Sequence, residues 1–391
     1  MKKFSLIAII LLILSSSTKA KVYDADTAVG KYQQMGTLAP INPHSSPEAE
    51  EALILIPGLN SMDLDSELYE WKSFWYRWNS YPMTDQERAK YKLFVFHYHG
   101  WNSLYDSSCL LEQGLRELVT NEPNIKRVSF IGYSQGGLIS RILLSEHPDL
   151  EKITRRVQTL AAPHQGAYIL SEKLLTDSAK HESNPLEAGK YLSMMPFFRD
   201  RYVYAFREQA YTNFDQGIPP SADYDVPEEA LKLPIPPNPE KFITYASYVK
   251  AAFPLNFESS FGIIFGDKIP ELFLNRKAGL RGLNRWMSTV TYIDEKPAFR
   301  DHMRLNDGVT PLASGIWARV CMSGEEQPSN WKQLFPTNNF CPVTKKQRVF
   351  YGIDHLRWRK PSSGVMKVKD EFEPQLPSSH PYDWIIADLL E

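Results

Sequence analysis

Ser134 stands in Gly132-Tyr133-Ser134-Gln135-Gly136, a serine with glycine two residues to either side. A hydroxyl in that setting is a candidate nucleophile. A serine lifted to the tip of a sharp turn leaves no room for side chains at those two positions, so Gly132 and Gly136 suit a nucleophile elbow. Such a serine needs a base to take its proton and an acid to orient the base. Where a serine turn of this kind caps a parallel sheet, the acid and then the histidine follow it in the chain. Of the nine histidines, His355 fits best: it lies in Ile353-Asp354-His355-Leu356, just after the strand-like run Gln347–Gly352. His164, in Pro163-His164-Gln165-Gly166, is the alternative base. The acid expected is Asp307, in Asn306-Asp307-Gly308-Val309, where Asp-Gly marks a tight turn that frees a carboxylate to accept from imidazole N–H; Asp301 is the reserve.

Those residues need elements to carry them. Val128–Ile131 is a short β-rich run before the elbow, and Leu138, Ile139, Ile142 and Leu143 recur after it at helical spacing. The helix N-terminus then faces the serine, and its positive end favours a developing oxyanion. The Gln135 N–H is one expected donor. The second is the Leu59 N–H, from Pro57-Gly58-Leu59 after the apolar run Ala52–Ile56, with Asn60 the neighbouring alternative. Further strands are expected at 92–98, 156–160 and 241–248, and helices near 68–78 and 109–118. Strands alternating with helices predict a mostly parallel sheet with helices on both faces. Chemistry in such sheets gathers at the carboxyl ends of the strands, where Gly58, Ser134 and His164 all fall. The alternation fails at about 168–240 and 250–300, which are rich in Phe, Tyr and Pro; these segments are expected to form an inserted cap or lid suited to hydrophobic substrates.

The chain has 391 residues, 43% hydrophobic and 23% charged, enough for one large domain with insertions. Lys2 and Lys3, the apolar stretch Phe4–Leu14 and Thr18-Lys19-Ala20 together read as a signal peptide over residues 1–20, which predicts export to periplasm or medium and leaves the folded domain over 21–391. Loss of Lys2, Lys3 and Lys19 would leave 41 basic against 46 acidic residues, and this mild acidity counts against a nucleic-acid partner. No obligate protein partner is evident. Cys321 and Cys341 flank a Pro/Asn-rich loop and are expected to pair in an oxidising compartment, with Cys109 left over as a buried thiol. Three cysteines without close spacing make no zinc site.

Taken together, these pieces resemble the α/β-hydrolase fold, and within it the bacterial triacylglycerol lipases and esterases. Gly132-Tyr-Ser-Gln-Gly-Gly137 is similar to their Gly-His-Ser-Gln-Gly-Gly, Pro163-His-Gln-Gly166 to their Pro-His-x-Gly, and Asn306-Asp-Gly-Val and Asp354-His-Leu to their acid and histidine loops. The resemblance covers roughly residues 50–170 and 300–360. It implies hydrolysis of acyl esters, lipids or acylglycerols among them, at a lipid interface. The chain departs from it at Tyr133, where His is usual, and at Pro57-Gly58, where His-Gly is usual. Those lipases bind calcium through an Asp two residues after the histidine; Arg357 stands there in this chain, which counts against calcium, and no cofactor is expected. The same elbow is also similar to that of acyl thioesterases. An acyltransferase, or a silent hydrolase fold acting as a binding protein, would keep the elbow as well.

Overall fold

The structure, a computed structural model, describes residues 35–41, 48–59, 64–100, 102–167, 233–248, 305–307, 309–329, 331–335, 339–351, 353, 355–359, 367–368 and 380–391. The expected signal peptide, the segment 250–300, most of the segment 168–240, and the alternatives Asn60 and Asp301 lie outside the described residues.

Among the described residues ten strands are numbered in chain order: β1 (Leu38–Pro40), β2 (Glu51–Ile56), β3 (Tyr91–Phe96), β4 (Arg127–Tyr133), β5 (Thr154–Leu160), β6 (Phe242–Tyr248), β7 (Ala318–Val320), β8 (Phe340–Pro342), β9 (Lys346–Tyr351) and β10 (Lys367–Val368). Eight of them form one sheet in the order β1-β3-β2-β4-β5-β6-β9-β10. The six inner strands run parallel, and β1 and β10 close the two edges in antiparallel pairing. The sheet is therefore mostly parallel, as the alternation predicts.

Helices cover both faces, and the pleat decides which residues each face receives. All six residues of β2 are buried, as a central parallel strand requires. Ala52, Ile54 and Ile56 pack with Phe94, Phe96 and Phe130 against the helices α3 (Leu104–Asn121) and α4 (Gln135–Glu146). Leu53, Leu55, Leu93, Val95 and Ile131 face the other way, onto Trp71, Phe74 and Trp78 of α1 (Leu64–Ser80) and onto Tyr382, Trp384, Ile385 and Leu389 of the C-terminal helix α8 (Pro381–Leu390). Four shorter helices, α2 (Asp85–Ala89), α5 (Pro148–Ile153), α6 (Leu312–Gly315) and α7 (Trp331–Leu334), fill the connections.

Cys321 is bonded to Cys341, with Cα atoms 4.9 Å apart, at the end of the small antiparallel β7–β8 pair. Cys109 is exposed, contrary to the expectation of a buried thiol. The helix α3 turns Ser108, Leu111, Leu115 and Leu118 inward, which leaves position 109 on its solvent side. A thiol reagent should therefore modify one cysteine in the denatured, unreduced chain and three after reduction. Equal labelling in both states would refute the bond. Replacing the pair by serine should cost on the order of 3 kcal/mol in urea unfolding, the scale for cross-linking a loop of this length.

The helix α8 is held by charge as well as by apolar contact. Asp388 is fully buried and meets Arg348 of β9 through two hydrogen bonds, at 3.0 and 2.6 Å, with Lys346 at 2.6 Å and the Tyr245 hydroxyl as a further donor. Burial alone would raise the Asp388 carboxyl, but Arg348, Lys346 and Tyr245 outweigh it and hold the group below its usual range. A depressed folded-state pKa contributes stability above the unfolded value, and that contribution is lost as pH falls through the folded value. Asp388→Asn should therefore cost about 3–5 kcal/mol near neutral pH by urea unfolding. The variant should also lose stability less steeply than wild type between about pH 5 and pH 1.

Candidate functional site

The strand β4 ends at Tyr133 and the helix α4 begins at Gln135, so Ser134 is the entire turn between them. Its backbone sits at φ 53°, ψ −123°, a region an L-residue rarely adopts. The two glycines make the turn possible. A Cβ on Gly132 would stand 2.5 Å from the Gly136 carbonyl carbon, and one on Gly136 would stand 2.4 Å from the Ile56 carbonyl oxygen. Ser134 N–H donates to the Leu160 carbonyl at 2.8 Å, pinning the turn to the neighbouring strand.

His355 opens a 3₁₀ turn (His355–Arg359) after β9. Its Nε2 lies 3.0 Å from Ser134 Oγ and its Nδ1 2.8 Å from Asp307 Oδ2. An ionised carboxylate only accepts, so Asp307 places the ring proton on Nδ1 and leaves the Nε2 lone pair facing the serine hydroxyl. The other carboxylate oxygen, Oδ1, accepts from the N–H groups of Val309 and Thr310 at 3.0 and 2.7 Å. One side chain thus closes its own turn and orients the imidazole. All three residues are buried, Ser134 being the most accessible at 9%. A hydroxyl, an imidazole and a carboxylate joined in this sense can move a proton off the hydroxyl as it attacks an electrophilic carbon, and return it to a leaving group.

His164, the alternative base, is engaged elsewhere. Its Nε2 meets Thr159 Oγ1 at 2.9 Å and its ring stacks on Trp317 at 4.4 Å. Burial, reinforced by Arg141, pushes its pKa well below the usual value, so it stays neutral. Arg141 lies over the same indole and donates to the carbonyls of His164, Leu233 and Pro234. These contacts make His164 a packing residue of the turn after β5.

The loop carrying Leu59 lies against the elbow: a Cβ on Gly58 would be 3.0 Å from the Tyr133 ring and 3.2 Å from Ser134 Cβ. The Gly58 N–H already donates to Glu70 Oε1 of α1 at 2.9 Å, so it is not the group offered to a ligand. The Tyr98 hydroxyl donates to the Pro57 carbonyl at 2.8 Å and lies 3.3 Å from that of Gly58. In a trans peptide the N–H points opposite the carbonyl. The Gly58 carbonyl faces Tyr98, so the Leu59 N–H points away from that ring. Gln135 Nε2 donates to Tyr98 Oη at 2.9 Å and to the Gly100 carbonyl at 2.7 Å, tying the first residue of α4 into the same network.

Sequence reasoning missed Glu70, Tyr98 and Arg359, and gave no role to Tyr133. The Tyr133 hydroxyl donates to the His355 carbonyl at 2.9 Å, a contact that accounts for tyrosine at this elbow position. Only Tyr98 carried a signal, its place at the carboxyl end of β3 beside the site edge. Position 357 is an arginine, and the Glu70 carboxylate is already paired with Arg359 at 3.2 Å, so neither offers calcium a free carboxylate. Among the described residues one group has metal-ligand spacing, Cys321, Glu325 and Cys341, but its sulfurs are bonded to each other and Glu325 is paired with Arg319.

A Gly136→Ala variant puts a methyl group against backbone rather than a movable side chain. It should lose about 2 kcal/mol or more in urea unfolding. A variant as stable as wild type would show that the turn has slack the contacts do not allow.

No protein-family model matches the chain, and no curated protein matches its sequence. Among solved structures it is similar to lipase 1 from Pelosinus fermentans, at TM-score 0.47 and 11% identity over 88% of this chain and 99% of that one. It is also similar to the metagenomic carboxyl esterase MGS0156, at TM-score 0.36 and 16% identity over 99% and 90% of the two chains. The mature form of Bacillus licheniformis lipase BlEst2 gives TM-score 0.36 and 15% identity over 84% and 94%. The fold itself is read from the sheet. Six parallel inner strands are flanked by helices, a strained serine turn sits at their carboxyl edge, and the acid and then the histidine follow in chain order. This is the α/β-hydrolase fold.

Proposed function

We propose that this chain is a serine hydrolase of carboxylic esters, in which Ser134 is the nucleophile, His355 the general base and acid, and Asp307 the orienting carboxylate. The observation that carries the reading is the hydrogen-bonded chain from Ser134 Oγ through His355 to Asp307, built on a serine held in strained backbone at a helix N-terminus. His355 Nε2 takes the Ser134 proton as Oγ attacks the ester carbonyl. The tetrahedral oxyanion is held by the backbone N–H groups of Leu59 and Gln135, with the α4 N-terminus adding its positive end. The proton on Nε2 passes to the leaving alcohol, and water then clears the acyl-enzyme by the same steps. No metal or cofactor enters the scheme. The substrate is a hydrophobic acyl ester, the class suited to the aromatic segments at 168–240 and 250–300. The leader-like residues 1–20 and the Cys321–Cys341 bond support action outside the cytoplasm.

Hydrolysis of a p-nitrophenyl ester series, from acetate to palmitate, tests the reading. Ser134→Ala should lower turnover by a factor of about 10⁴ or more while the chain stays folded. A fluorophosphonate should label wild type and not the variant. Turnover near wild type in Ser134→Ala, or no labelling of folded wild type, would remove the assignment. Rates peaking at long acyl chains favour a lipase, whereas rates peaking at short ones favour a small-ester esterase.

A further inference from the structure

Two loops must be aligned for the proposed chemistry, and they come from distant parts of the chain. One carries the oxyanion donor after β2; the other carries His355 after β9. An ion pair between a buried carboxylate and a half-buried guanidinium joins them. Glu70, on α1, is 4% exposed. Its Oε1 accepts the Gly58 N–H at 2.9 Å, and its Oε2 meets Arg359 Nη2 at 3.2 Å. Arg359 closes the 3₁₀ turn that His355 opens. The same turn is fixed from two other sides: Trp358 Nε1 donates to Ser247 Oγ at 2.8 Å, and the Tyr382 hydroxyl donates to the Trp358 carbonyl at 2.5 Å.

The physical need for the pair lies in Gly58. Its Cβ position is closed off by Tyr133 and Ser134, so the loop must approach the nucleophile as bare backbone. Glycine has the widest backbone freedom, and its orientation has to be imposed from outside. Tyr98 holds the carbonyl side of this loop and Glu70 holds the amide side. A carboxylate does the second task better than a neutral acceptor, because a charged hydrogen bond is shorter and stronger. A lone buried carboxylate would be costly, and Arg359 removes that cost while taking its own position from the histidine turn.

We infer that Glu70 and Arg359 form a positioning pair that registers the oxyanion loop against the histidine turn, so that donor and base are placed as one unit. The inference rests on the serine-hydrolase reading above. Neither residue touches the reacting atoms; Glu70 acts through the Gly58 amide, and Arg359 acts through Glu70 and the turn.

The test is steady-state hydrolysis of p-nitrophenyl butyrate by the full chain, with thermal unfolding measured on each variant. Glu70→Met removes the acceptor and the charge, Glu70→Gln keeps an acceptor without charge, and Arg359→Lys keeps the charge without the guanidinium plane. Glu70→Met should lower kcat about 10²-fold, the scale for a catalytic group displaced by about an ångström, with KM changed less than about threefold. Glu70→Gln and Arg359→Lys should fall between it and wild type. The exchange Glu70→Arg with Arg359→Glu separates alignment from mere stability. It can restore pairing and melting temperature, but an arginine at position 70 cannot accept from the Gly58 N–H, so kcat should stay low. Wild-type kcat in folded Glu70→Met would overturn the inference. Full recovery of kcat by the charge exchange would overturn it too, since only net stability would then be at stake. If Glu70→Met does not fold, Arg359→Lys and Glu70→Gln decide: both at wild-type kcat overturns the inference. If wild type shows no Ser134-dependent hydrolysis, the function reading fails and this inference with it. Active wild type with unaffected variants sinks the positioning pair alone.

Discussion

Ser134 is held at φ 53°, ψ −123°, and the rest of the molecule can be understood as what holds it there. Such a conformation costs on the order of 1–3 kcal/mol and persists only where the surroundings over-determine it. Here the surroundings are backbone. Gly132 lies against Gly136 and Gly137, Gly136 lies against the carbonyls of Ile56 and Pro57, and the serine amide is taken by Leu160. Three adjacent strands, β2, β4 and β5, therefore meet at one residue. A turn that relaxed toward ordinary backbone would have to pull one of these strands out of register with its neighbours, and the residues on both faces of the sheet resist that.

Two further charge pairs stiffen the opposite end. Glu51 is the first residue of β2 and pairs with Arg155, the second residue of β5; Arg348, early in β9, pairs with Asp388. In a parallel sheet these positions mark the amino ends of the strands, whereas Ser134 and His355 follow the carboxyl ends. Arg155 also reaches the Leu389 carbonyl, and Arg77 of α1 meets Asp383, so α8 is fastened to the sheet and to α1. Buried pairs contribute less to net stability than their number suggests, but each is expensive to leave half-made. That makes them good at fixing where a helix sits, and α8 in turn supplies Tyr382, which holds the turn that His355 opens.

What could be read from the sequence was local. The elbow was legible because two glycines at fixed spacing between a β-rich run and a helical period have one economical explanation. Asp307 and His355 were legible because each follows a turn or strand signal in the required chain order, and the structure places both within hydrogen-bond reach of their partners. The inner parallel strands stood out as apolar runs, with boundaries off by one or two residues. The helix read at 109–118 runs over Leu104–Asn121, because its first turn is set by the Ser103 cap rather than by apolar spacing. Short pieces escaped notice: β1, the β7–β8 pair and β10 are two or three residues long and carry no period. The helix α8 was passed over despite Pro381 at its start and the apolar run after it. Glu70 and Arg359 could not have been found, since an acid in one helix and an arginine in a distant turn acquire meaning only when the fold places them 3.2 Å apart.

The histidine shows why the missed residues matter as much as the ones found. The backbone N–H of His355 donates to the Asp307 carbonyl at 3.0 Å, and its own carbonyl accepts from Tyr133, the residue beside the serine. Its ring meets the side chains of those same two neighbourhoods, Asp307 on one nitrogen and Ser134 on the other. His355 is therefore referenced twice to Asp307 and twice to the elbow, through Ser134 and Tyr133, once by its ring and once by its main chain on each side. A ring held only by its side-chain contacts could rotate about χ1 or drift with its loop and still satisfy one of them. With both peptide groups of His355 fixed, rotation about the side-chain bonds is the freedom that remains, and Asp307 removes it. Alignment is then settled when the chain folds, before any substrate arrives, which is the condition under which orientation lowers a barrier. Tyrosine at position 133 contributes a hydroxyl at the right reach, so the departure from the usual histidine there is a change in how the His355 backbone is held.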